Sequence, residues 1–363
     1  MVFSKFKFAG GRVVKTGIGV FVTALICQAF NFNPIFAVIT AIVTIEPTAS
    51  DSIKKGVIRF PSAVIGAGYS MIFAALFGDQ AITYALAAIF TIVTCHKFKL
   101  EAGILVATLT AVNMIPITHD HYLAAFVERL GTTTIGLTVS TLVNILILPP
   151  HYTGAITKST GILFEKLGSL LLQITNDILH KRRNKNTYEQ FNSLMKDLEK
   201  TEQLCQYQRE EWKYHRHTKQ ELREFHYEHK KLIVLRQMLY HIGNLMYVPF
   251  DKDKVDIKED SYIITFITGL AHFLQERSFS MNDHPEWLIP NIRKDSSSLR
   301  NELFNPAHEG SNSFSPETIL FYELTALQEL AQQLSHIQQF ESKHGHFDLS
   351  IRKNNTVEKS HES

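Results

Sequence analysis

Apolar residues fill long stretches of the first 150 positions, broken by short polar segments; beyond Pro149–Pro150 they recur every third or fourth position among charges. A bilayer core of about 30 Å asks for roughly 20 apolar helical residues. The runs at about 13–30, 33–46, 60–78, 80–95, 100–117 and 123–148 predict six spans, the second and fourth short. Lys5, Lys7, Arg12 and Lys15 precede the first run, Lys54, Lys55 and Arg59 separate the second from the third, and Lys97 and Lys99 separate the fourth from the fifth. The stretches 31–33, 78–80 and 118–122 carry no Lys or Arg. Basic loops on one side predict an even number of spans with both termini in the cytoplasm, and the first run is read as a span rather than a cleaved leader.

After Pro150 the stripe Ile156, Thr160, Leu163, Leu167, Leu170, Ile174 and Ile178 marks one amphipathic helix. A long helical stretch is expected from Thr187 to Tyr247, stopped by Pro249, with further helices near 262–277 and 316–343. The predicted fold is therefore all-α: a six-span transmembrane bundle over 1–150, a cytoplasmic helical-bundle domain over 151–343, and a polar, disordered tail over 344–363.

A shift of 70 residues brings Ala37, Thr40 and Ala41 onto Ala107, Thr110 and Ala111, and Arg59, Ile65, Gly66 and Ser70 onto Arg129, Ile135, Gly136 and Ser140. Apolar bias does not account for the Arg and Gly matches. A three-span unit repeated once is inverted in the membrane, and such repeats place the substrate between the copies in many transporters. Gly66 and Gly136 would let helices approach closely, and Thr133, within the run 132–134, could hydrogen-bond across helices.

Composition divides at the same place. Residues 1–150 hold ten Lys and Arg and six Asp and Glu, against 27 and 29 in the remainder, although the whole chain is nearly neutral at +2. Two domains in two solvents follow. Cys27 and Cys95 lie in apolar runs and Cys205 in a charged helix, a pattern that gives neither a disulfide framework nor a zinc site.

Glu46 closes the second run within Ile-Glu-Pro-Thr, where Pro47 breaks the helix and leaves a carboxylate at the membrane edge or in a cavity. Ionisable groups at depth often mark substrate or proton paths; the alternative is a helix-ending acid in water. Arg129, opening an apolar helix, could grip a carboxylate in a forked geometry or anchor at the headgroups. Glu128, adjacent on a helix, does not face it. Asn113 and Asn144 could line a polar route or bond between helices. His119-Asp120-His121 reads as a wet loop, and His215, His217, His226 and His229 as a solvated face. No phosphate-binding loop, nucleophile elbow or dinucleotide fingerprint occurs, so neither an enzyme nor a cofactor, metal or nucleic-acid partner is expected.

Six runs, Ile-Glu-Pro-Thr at 45–48, Lys-Lys-Gly-Val-Ile-Arg-Phe-Pro-Ser-Ala-Val-Ile-Gly at 54–66 and Glu-Arg-Leu-Gly-Thr-Thr-Thr-Ile-Gly at 128–136 resemble the aromatic acid exporter family, in its Gram-positive branch with a helical C-terminal domain. Fusaric-acid-resistance-type membrane proteins belong to the wider group. Pro47, Thr48, Arg59, Gly66, Arg129, Thr133 and Gly136 match the family pattern. The resemblance implies efflux of small aromatic carboxylates across the plasma membrane, driven by the proton gradient. Larger members carry two membrane halves, so this chain would form a homodimer or higher oligomer. On that reading Arg129 or Arg59 meets the carboxylate, Glu46 exchanges the proton, and Pro47, Asn113 and Thr133 line the pathway. The rival reading is a membrane-anchored scaffold or sensor whose helical domain binds a partner.

Overall fold

In the computed structural model, residues 11–117, 122–147, 150–180, 184–247, 262–276, 279 and 316–358 are described. Among these, all regular structure is helical: α1 Gly11–Ala29, α2 Pro34–Thr44, α3 Ala49–Phe77, α4 Ala81–Lys97, α5 Ile104–Met114, α6 Tyr122–Leu146, α7 Thr153–Leu179, α8 Lys185–Glu211, α9 Lys219–Tyr247, α10 Tyr262–Glu276 and α11 Pro316–Glu358. Short 3-10 turns at Glu101–Gly103 and Ile115–Ile117 flank α5.

Each apolar run contains a helix, but the boundaries differ from those expected. Of the described helices, α1 and α3 are long and apolar enough to cross a membrane; α2, α4 and the stretch Glu101–Met114 are apolar but shorter. α3 begins at Ala49 rather than near residue 60, because Thr48 is extended and its side chain accepts the Asp51 N–H at 3.1 Å. Lys54, Lys55 and Arg59 thus ride on the first turns of a helix instead of a loop. The single long helix expected over 187–247 is two helices. The Thr218 N–H donates to the Glu221 carboxylate at 2.9 Å and the Glu221 N–H donates to Thr218 Oγ1 at 3.1 Å, a reciprocal capping box that starts α9. α11 runs on to Glu358, so most of the tail read as disordered is helical; no proline interrupts it.

The chain forms two compact units. The first comprises residues 1–151 with 207–216, and the second residues 152–206 with 217–363.

In the first unit the third helix of each repeat packs on the other repeat's first two: α3 lies against α4 and α5, α6 lies against α1 and α2, and α3 meets α6. The internal repeat is therefore visible in space. Its turns agree as well. α1 and α4 end in the same motif, with Asn31 at φ 56° and Lys99 at φ 58°. Phe32 N–H donates to the Cys27 carbonyl at 2.9 Å, and Leu100 N–H to the Cys95 carbonyl at 2.8 Å. These are the bonds of a helix C-terminus closed by a left-handed residue. Cys27 and Cys95 are fully buried, free thiols. The register is 68 here and 70 beyond, the difference being taken up before α5.

At the helix crossings a Cβ on Gly66 would stand 2.2 Å from the Ala107 carbonyl oxygen, and one on Gly136 2.5 Å from that of Ala37. These are equivalent contacts in the two repeats, and they explain why both positions are glycine. The interior is built from small and hydroxylated residues such as Ala41, Thr40, Thr110 and Ala111, while Phe21, Leu25, Ile72, Leu76 and Leu123 are exposed. Large apolar groups outside and small ones inside suit a bundle solvated by lipid.

The second unit has the opposite plan. α7 packs on α9 and α10, and α9 on α11, around Phe164, Leu167, Leu235, Phe266 and Leu327. Within it Lys231 bridges Glu228 at 2.9 Å and Glu341 at 2.7 Å, all three at most partly exposed. Burial raises the Glu228 carboxyl against the pull of Lys231, whereas for Lys231 the two carboxylates outweigh burial and raise its pKa.

Candidate functional site

The break between α2 and α3 gathers most of the buried charge of the first unit. Arg59 Nη2 donates to Glu46 Oε1 at 2.6 Å and Lys55 Nζ to Oε2 at 3.0 Å. Lys55 and Arg59 are four apart on α3 and so share a face. The Arg59 side chain is 7% exposed and that of Glu46 11%. Arg59 Nε also donates to the Ala102 carbonyl at 3.2 Å. Pro47 ends α2 as its missing N–H requires, and Glu46 N–H turns to Ser52 Oγ at 3.2 Å.

Asn144 of α6 ties this break to α1. Its Nδ2 group lies 2.7 Å from Ser52 Oγ and 3.1 Å from the carbonyls of Glu46 and Thr48, while Oδ1 accepts from Lys15 Nζ at 2.8 Å. Lys15, expected in a basic loop, is a buried lysine at the head of the stripe Lys15, Gly19, Thr23 and Cys27. That spacing of four puts it on the inward face of α1, a signal the reading of Lys15 as a loop residue passed over.

Arg129 is 4% exposed. Its Nη2 donates to Thr110 Oγ1, and its guanidinium carbon lies 4.1 Å from the centre of the Phe36 ring. Among the described residues Nε and Nη1 have no hydrogen-bond partner, and neither has the buried Oγ1 of Thr133, one turn along α6. Glu128 instead accepts from Asn33 N–H at 3.2 Å. Asn113 is exposed and donates to the Leu109 carbonyl of its own helix, so it does not join the others. Residues 118–121, with the His-Asp-His segment, lie outside the described residues.

One cluster went unread in the sequence. The segment 207–216 closes on the start of α3. Glu211 Oε1 accepts the Ala49 N–H at 2.7 Å, Glu210 Oε2 accepts from Ser50 Oγ at 2.6 Å, and Lys54 Nζ reaches Glu210 at 3.2 Å. His215 lies 3.0 Å from Glu211 and 2.8 Å from the Ile145 carbonyl. Carboxylates suit the N-terminus of a helix, where free N–H groups and the helix dipole meet them. The capping signature Thr218-x-x-Glu221 would have ended the preceding helix near residue 211 and drawn attention to the pair.

Hydrogen bonds from Lys213 and Ser50, with Lys54 beside them, hold the Glu210 carboxyl down at about 2. A depressed carboxyl stabilises the folded contact above its unfolded pKa of about 4.3, and that contribution is lost as pH falls towards 2. Trp212 in the same turn reports it. With Trp287 replaced by Phe, Trp212 fluorescence should change between about pH 4 and 2, and Glu210→Gln should abolish the step. An unchanged step in that variant would remove Glu210 as its cause.

A family model described as aromatic acid exporter family member 1 matches residues 7–147. A UPF0421 protein of Bacillus cereus is 43% identical over 349 residues, covering 96% of this chain and 98% of the relative. A UPF0421 protein of Oceanobacillus iheyensis is 40% identical, covering 90% of this chain and 95% of the relative. One from Staphylococcus saprophyticus is also 40% identical, over 75% and 85%. The matched segment carries the Glu46–Arg59 pair, Arg129 and both packing glycines, and the relatives extend through the helical half, so the chain is a membrane protein of the aromatic acid exporter family, alongside the UPF0421 proteins.

Proposed function

We propose that this protein is a multi-pass exporter of small organic anions, aromatic carboxylates foremost, in the plasma membrane with both termini in the cytoplasm. The observation that carries the reading is the imbalance of buried charge. Among the described residues of the first unit, Lys15, Arg59 and Arg129 are buried against two largely buried carboxylates, Glu46 and Glu211. Cations at depth are costly, and an anionic cargo would offset that cost. The two interlocked three-helix repeats are the architecture on which alternating access is commonly built. Such a path forms from six helices, several too short to span unaided, and lipid together with a second copy of the chain would complete the enclosure.

In this reading Glu46 carries the coupled proton. Paired with Arg59 and Lys55 it is an anion; separation of the pair as the repeats rock would leave it in apolar surroundings that favour the neutral acid. Radiolabelled benzoate accumulation in cells with and without the protein tests the proposal. Accumulation should be lower with the protein, and the difference should vanish when an uncoupler collapses the proton gradient. Equal accumulation across a broad panel of carboxylates would reject export.

A further inference from the structure

We propose that Arg129, Thr133 and the Phe36 ring form a carboxylate-binding subsite, in which the ligand carboxylate takes the place that Glu46 holds in the first repeat. The inference rests on the export reading for its biological role but not for its chemistry. Arg59 and Arg129 are repeat equivalents. Arg59 meets a carboxylate thirteen positions before it, Glu46, at 2.6 Å. The register carries Ile45 onto Ile115 and Thr48 onto Thr118, and it carries Glu46 onto Pro116. Ile45 and Ile115 are both fully buried, but the extended break that carries Glu46 is replaced by a 3-10 turn in which Ile115 is helical and Pro116 exposed, so the second repeat keeps neither the acid nor its seat. Among its described residues the second repeat thus has the guanidinium without a carboxylate bonded to it.

The surroundings fit an acid. Among the described residues Arg129 leaves Nε and Nη1 without partners, and either can join the second N–H of Nη2 to grip two carboxylate oxygens side by side. Buried N–H groups of this kind are normally satisfied. Thr133 Oγ1, buried and also unpartnered, supplies a further donor. Phe36 over the guanidinium gives the site an apolar wall. Its equivalent in the other repeat is Val106, so the aromatic face, like the unpaired arginine, belongs to the second site alone. Arg59 also has Nη1 unpartnered, but its charge is met by Glu46 and its Nε by the Ala102 carbonyl, which makes it the lesser candidate.

The full-length protein in detergent, equilibrated with radiolabelled benzoate, provides the test, with benzylammonium as the cationic counterpart. Wild type should bind benzoate and not benzylammonium. Arg129→Gln should weaken benzoate binding at least tenfold, and Arg129→Lys, which keeps the charge but not the fork, should weaken it as well. Thr133→Val removes the second buried donor while keeping the side chain's shape and should lower affinity at least threefold while the protein elutes as wild type does. Should Arg129→Gln fail to fold, Thr133→Val decides alone. Absence of benzoate binding by wild type, or binding that neither Arg129→Gln nor Thr133→Val alters, overturns the subsite. Arg129-dependent binding without any effect on cellular accumulation would keep the subsite and reject export. Proton-dependent export by an Arg129→Gln protein that still binds benzoate would do the reverse.

Discussion

Glu46→Gln should destabilise the protein by about 3–5 kcal/mol, the usual cost of removing one member of a buried ion pair. It leaves the Arg59 charge nearly enclosed with only neutral acceptors, the substituted amide and the Ala102 carbonyl. Arg59→Met should cost less, because Glu46 keeps Lys55, whose side chain is 37% exposed and can follow it. Glu46→Gln combined with Arg59→Met should recover much of the loss, since neither buried charge then remains. The coupling between the sites should reach about 2–3 kcal/mol, near the top of what contacting pairs show. Thermal melts of the four proteins in one detergent measure this. Additive losses would mean that the two residues stand close without depending on each other. The same set separates stability from transport: a double variant that folds like wild type yet exports nothing would place the pair in the mechanism.

The sequence made the membrane half legible through features that depend on local chemistry. Pro47 ends α2 next to Glu46 in any context, and an apolar run with its flanking lysines announces a helix whatever it packs against. The 70-residue identity of Arg59 with Arg129 and Gly66 with Gly136 could be read because arginine and glycine are rare enough in apolar segments to be informative. What escaped was set by packing or by caps. The polar stretch Thr48-Ala-Ser-Asp-Ser looks like a loop, yet the Thr48 cap makes it the first turn of α3, and this brings Lys55 and Arg59 round onto Glu46. Lys15 passed for a surface anchor because its partner Asn144 lies 129 positions away. Asn113, by the same logic, looked like an interior polar residue but bonds back to its own turn, as exposed amides on helices can. Glu210 and Glu211 sit in a charged stretch whose composition reads as a solvated helix. Only the neighbouring capping box betrays that the helix ends and the chain turns.

The repeat also fixes where the bundle is least tolerant. Gly66→Ala and Gly136→Ala should each destabilise by about 3 kcal/mol or more, the upper end of overpacking, because the added methyl meets a backbone carbonyl, which has no alternative rotamer to adopt. The two losses should be similar, since each glycine meets the equivalent alanine of the opposite copy, Ala107 and Ala37. Gly68, two residues beyond Gly66 on the same helix, has open space where a Cβ would stand, with nothing within 4 Å, and serves as the control. Gly68→Ala should be neutral or stabilise by up to about 1 kcal/mol, as glycine-to-alanine changes in helices do where space permits. Melting temperatures of the three variants decide the matter. If Gly68→Ala is as damaging as Gly66→Ala, the cost lies in helix flexibility rather than in the crossing. If Gly66→Ala is harmful and Gly136→Ala harmless, the two halves share an ancestry of sequence but not a common packing, and the pseudo-symmetric frame that makes Arg129 the counterpart of Arg59 loses its support.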